Sequence, residues 1–167
     1  MTLAIAFVLA LLLQLGLTAS HLWWVLAACQ PILLVVVASA RRFDPVGVAW
    51  TGLAAGLATD LMTERIIGPG GIAGAVAGFV VAAVVRRFEM EGPLYWIVGS
   101  LLAATCSEAV WMLSLATLGV RPDHAFAGGL ATVVMTSAAG LLVAAGERAW
   151  RAWNSPAHKR RRVLRHL

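Results

Sequence analysis

A chain of 167 residues that is 60% hydrophobic and only 13% charged, with a mean hydropathy of +0.85, is too apolar for a water-soluble domain and reads as an integral membrane protein. At roughly 20 apolar residues per span there is room for six or seven helices and little else, so one compact all-α membrane domain is expected and a separate soluble domain is excluded. The net charge of +5 does not point to nucleic acid, because the basic residues gather at the ends of apolar runs, where orientation and anionic lipid account for them.

The first apolar run, Leu3 to Leu17, is Leu-rich and interrupted by Gln14. No Lys or Arg precedes Arg41, so the run lacks the basic start of a signal peptide and reads as a retained helix rather than a cleaved leader. Gln14 then needs a hydrogen-bond partner on a neighbouring helix. A second span is expected from Leu22 to Ala40, anchored by Trp23 and Trp24 at one interface and by Arg41 and Arg42 at the other. Pro31 lies near its middle and should bend or interrupt it, since proline removes one backbone donor.

The stretch from Val46 to Val85 predicts two helices folded back on each other through a Gly-Pro-Gly turn. Gly52 and Gly56 stand four apart on the first, and Gly70, Gly74 and Gly78 continue that spacing on the second. Each helix thus carries a side-chain-free groove along one face, suited either to close packing within the chain or to a partner helix. Asp60 stands one further step of four along the first groove, which points its carboxylate inward. It is either a satisfied structural group or part of an interaction site.

A short charged connection, Arg86 to Pro93, leads to a fifth span from Leu94 to Leu118. Glu108 lies deep within it and must be paired or protonated. Asp60 and Glu108 fall at similar depth, about 21 Å into helices that run in the same direction. Their carboxylates are therefore expected to line one polar pocket, joined by His124 or Arg65 near its rim. The sixth span, Ala125 to Ala145, repeats small residues at Thr132, Thr136 and Gly140, and so should also pack closely. The transmembrane domain is placed at residues 1–147 and a basic tail at 148–167. Lys159, Arg160, Arg161, Arg162 and Arg165 in that tail are read as facing anionic lipid. Cys29 and Cys106 stand apart in apolar surroundings and read as small core residues. No cofactor or metal site is expected.

Six spans put both termini on one side, together with every Lys and Arg except Arg65 and Arg121. The positive-inside tendency makes that side the cytoplasm. The sequence contains no Gly-rich phosphate loop, HExxH or nucleophile elbow, which argues against an ordinary enzyme.

Size, short loops and the block from Gln30 to Glu89 resemble the bacterial rod shape-determining membrane protein family MreD. The resemblance rests on the Pro-led helix PILLVVVASARRFDPVGV, then GLAAGLATDLM, the turn GPGGIAG and a helix closing in Arg-Arg. The glycine-leucine-aspartate run and Pro-x-Gly turn of that family correspond here to Gly56–Asp60 and Pro69–Gly71. The resemblance implies a non-enzymatic scaffold of the elongasome in the bacterial inner membrane. Such a scaffold binds the single-span protein MreC and helps couple MreB filaments to peptidoglycan synthesis by a RodA-type glycosyltransferase and a penicillin-binding transpeptidase. It also implies a fold similar to the S components of ECF vitamin transporters. The second reading is accordingly a small-molecule-binding transporter subunit with Asp60 and Glu108 in its pocket, and a third is a small intramembrane enzyme.

Overall fold

A computed structural model describes residues 2–19, 29–62, 68–119 and 125–153. Within these residues the protein is all-helical, with six helices in chain order: α1 (Thr2–Ala19), α2 (Pro31–Ser39), α3 (Pro45–Met62), α4 (Pro69–Arg87), α5 (Gly92–Thr117) and α6 (Ala125–Trp153). Proline stands in the first turn of α2, α3, α4 and α5, where its missing N–H would have had no intrahelical partner and its fixed φ already suits the helix. Asp44 caps the start of α3, its Oδ1 accepting the Gly47 N–H at 3.3 Å. Gly68 precedes α4 with φ +127°, a conformation that a residue with a side chain would adopt only under strain.

Three of these helices, α4, α5 and α6, are long and apolar enough to cross a membrane. The six spans read from the sequence are therefore represented in full by only three among the described residues. The reasons differ from helix to helix. The second expected span is not one continuous helix: α2 starts at Pro31 and has nine residues, about half of what a crossing needs. Residues 20–28 lie outside the described residues. In α3, glycines, threonines and Asp60 dilute the apolar content, and the apolar part of α1 is described from Ile5 to Gln14. The boundary expected at residue 147 is not a break either, because α6 runs on through Trp153. No helix breaker occurs in that stretch, and the Glu147–Arg151 ion pair at i,i+4 supports its last turns.

The helices are packed tightly by small residues and present large apolar ones outward. The interior includes Ala55, Ala73, Ala77, Ala82, Ala103 and Ala104, with Ile32, Val36, Val37, Val48, Val81 and Tyr95 filling the space between them. Leu9, Leu12, Trp50, Phe79, Leu113 and Leu142 are exposed on the outer faces. This is the arrangement required where lipid offers an apolar surface as good as leucine and helices are held by close contact instead. The α3–α4 hairpin has the most extensive interface, α4 then packs on α5 and α5 on α6, and α1 lies against α2.

One end of the bundle is built from arginines. Arg41 makes a two-pronged ion pair with Glu147 of α6, at 3.0 and 3.2 Å, and its guanidinium lies 4.2 Å from the Tyr95 ring centroid. The Trp96 indole N–H also donates to Glu147, and the Tyr95 hydroxyl donates to the Val37 carbonyl. Together these bonds fasten the end of α2 to α5 and α6.

Candidate functional site

The backbones of α3 and α4 touch where the glycines face each other. A Cβ placed on Gly52 would stand 2.1 Å from the Gly74 carbonyl oxygen, and one on Gly74 would stand 2.2 Å from that of Gly52. One on Gly56 would meet the Gly70 oxygen at 2.0 Å, and one on Gly78 the Val48 oxygen at 2.7 Å. No side chain of any size fits at these positions. The two grooves are used up on each other inside the chain, so they are not open to a partner helix.

Asp60 closes this hairpin where α3 gives way to α4. It is 2% exposed, and its Oδ2 accepts the N–H groups of Gly68 and Gly70, each at 3.0 Å. Those are donors at the start of α4 that have no partner within their own helix, and the carboxylate also meets the positive end of the helix dipole. A Cβ on Gly70 would lie 2.1 Å from Asp60 Oδ1, so a side chain there would push the carboxylate off the donors it caps. A side chain on one helix thus serves as the cap of the next.

The same end of the bundle holds a small polar cavity of about 40 Å³, lined by Gln30, Thr59, Asp60, Gly70, Ser107, Glu108 and Trp111 among others. Asp60 and Glu108 line it together. Arg65 and His124 lie outside the described residues, as do Lys159, Arg160, Arg161, Arg162 and Arg165 of the tail. Glu108 is half-buried beside Gly129 of α6, where an added Cβ would come within 3.2 Å of its Oε2. The cavity also lies at the start of α2. The Gln30 N–H, which the helix leaves free, donates to Thr136 Oγ1 of α6 at 3.3 Å. Non-helical backbone between apolar helices needs protein groups or water to satisfy it, and here the Thr136 hydroxyl does so. Two helix starts, α2 and α4, and two carboxylates therefore converge on one point.

The cavity has room for about three waters. Its groups can hold and orient water or fix the helices in register. Among the described residues, no group of three or more His, Cys, Asp or Glu could hold a metal. Gln14 of α1 was expected to bond to a neighbouring helix, yet its buried Oε1 has no partner among the described residues. Gln30 and Thr136 were not singled out from the sequence as site residues. The available signals were a polar side chain directly before an internal proline and the four-residue spacing of small residues on α6.

Comparison with family models, with characterised proteins and with solved structures finds no match.

Proposed function

We propose that the protein is a non-enzymatic scaffold of the MreD kind, crossing the bacterial inner membrane six times with both termini in the cytoplasm. In that role it binds an MreC-like single-span protein and helps couple MreB filaments to a RodA-type glycosyltransferase and its transpeptidase. The observation that carries this reading is the filled interior. The polar cavity between the helices, at about 40 Å³, is far below the roughly 300–1,000 Å³ of small-molecule sites. Backbone contact at Gly52, Gly56 and Gly74 leaves no path to enlarge it without parting α3 from α4. A body packed in this way acts through its outer faces, and those faces carry large apolar side chains. The resemblance of Gln30–Glu89 to MreD supplies the identity of the partners.

The same packing counts against the transporter-subunit reading, which needs a closed pocket of vitamin size. Affinity capture of the native protein from detergent-solubilised membranes separates the two. Recovery of an MreC-type protein and wall synthases is the expected result, whereas recovery of an ATPase-bearing transporter module would overturn it.

A further inference from the structure

A groove of about 410 Å³ lies on the outer side of the described residues and shares no lining residue with the polar cavity. Phe7 and Val8 of α1, Val35 and Val36 of α2, Phe43 of the next connection and Ala54 of α3 line it. The groove exists because α1 packs on α2 and hardly touches α3. Ser39 and Thr51 also border it, but their hydroxyls are 3.0 Å apart and bond back to the carbonyls of Val36 and Val48. Their polar atoms are thus satisfied, and the groove offers hydrocarbon along its length.

Phe43 brings a charge near this groove. Arg86 of α4 donates from Nη2 to the Phe43 carbonyl at 2.7 Å, which holds a guanidinium against the backbone of a residue that lines the groove. Arg86 is exposed, and this bond uses one of its five donors. Arg42 and Arg87 are exposed in the same two connections. Asp44, the one acid in the α2–α3 connection, is engaged in capping α3. An apolar groove with a guanidinium bonded to one of its lining residues matches a molecule with a hydrocarbon chain and an anionic head.

We propose that this groove holds one acyl chain of an anionic phospholipid, with Arg86 binding the phosphate. Apolar walls next to an exposed cation suit an anionic amphiphile, whereas a wholly apolar helix docked there would bring no anion to the guanidinium. A guanidinium recognises phosphate by paired hydrogen bonds as well as by charge. Because a chain leaving the bilayer exchanges one hydrocarbon surface for another, selectivity comes from the head and shape from the groove. The proposal requires only that the protein lies in a membrane and is independent of the scaffold reading.

The test is native mass spectrometry of the full chain released from bilayers of mixed phosphatidylglycerol and phosphatidylcholine. The wild type should retain one phosphatidylglycerol in preference to phosphatidylcholine. Arg86→Gln should lower that preference about fivefold, the effect of one basic residue at a membrane surface. Ala54→Trp, which fills the groove from an exposed position, should abolish retention of either lipid. Thermal unfolding checks that both variants remain folded, and Arg86→Gln, at an exposed site, decides the matter alone if Ala54→Trp does not. Equal retention of the two lipids by the wild type, or an unchanged preference in Arg86→Gln, would overturn the proposal. So would loss of a single-span partner in Ala54→Trp with no lipid retained by the wild type, which would make the groove a helix-docking site.

Discussion

Asp60 shows how one side chain sets the geometry of a hairpin. Its carboxylate stands where the four-residue glycine spacing would put it, yet that spacing does not say what it binds. The structure supplies the answer in the N–H groups of Gly68 and Gly70. Replacing Asp60 by Leu leaves two donors unsatisfied, at about 1–3 kcal/mol each, and should lower the unfolding temperature in detergent markedly. Asp60→Asn keeps an oxygen in the same place and loses chiefly the attraction of a charge to the helix start, about 1 kcal/mol. The expected order is wild type, then Asn, then Leu. Equal damage from Asn and Leu would mean that the charge itself is required, and wild-type stability in Asp60→Leu would remove the cap from the account.

At the scale of the helices, contact between α3 and α4 depends on an absence of side chains. Gly56→Ala places a methyl 2.0 Å from a backbone oxygen, which can yield only if the helices part. The cost should exceed the usual 1–3 kcal/mol or so of overpacking. Gly146→Ala has nothing within 4 Å of its new atom and should be neutral or stabilising by up to about 1 kcal/mol. Thermal unfolding of the two variants side by side isolates the contact from helix propensity. If Gly56→Ala behaves like Gly146→Ala, the backbones are not in contact. The positions of these glycines were legible because a local period records which face a helix buries. The starts of α3 to α5 and the end of α4 were legible too, since proline and paired arginines punctuate the apolar runs, but the expected Gly-Pro-Gly turn is not one: Pro69 and Gly70 already belong to the first turn of α4, where proline is favoured. The interruption at Gln30 was half legible: Pro31 announced it, but the Thr136 hydroxyl that satisfies the exposed donor lies 106 residues away. The clasp of Arg41 on Glu147 has the same separation. Long-range pairing of this kind leaves no periodic trace. A double-mutant cycle of Arg41→Ala and Glu147→Ala should give a coupling of about 1 kcal/mol, because the pair is two-pronged but partly open to solvent.

For the whole molecule, the internal geometry and the charge distribution constrain orientation separately. Asp60 at the end of α3 caps the start of α4, so the connection from α3 joins α4 at the end opposite Glu89. That helix has 19 residues, about 28 Å at a helical rise of about 1.5 Å per residue, and is apolar enough to cross a membrane. If it does cross, the two connections lie on opposite sides whatever the direction of insertion. The direction follows from Arg41, Arg42, Arg86 and Arg87, which cluster at the Glu89 end and favour the cytoplasm. The proposed topology therefore makes a two-part prediction. In a background lacking Cys29 and Cys106, single cysteines at Glu64 and His124 should react with a membrane-impermeant maleimide added to intact cells. A cysteine at Glu89 should react only after the membrane is opened. Labelling of Glu64 and Glu89 from the same side would mean that α4 does not cross, and the reversed pattern would keep the hairpin but invert the molecule. In the inverted case the arginine end would face away from the cytoplasm, and both the basic tail and the groove near Arg86 would have to find their anionic lipid in the other leaflet.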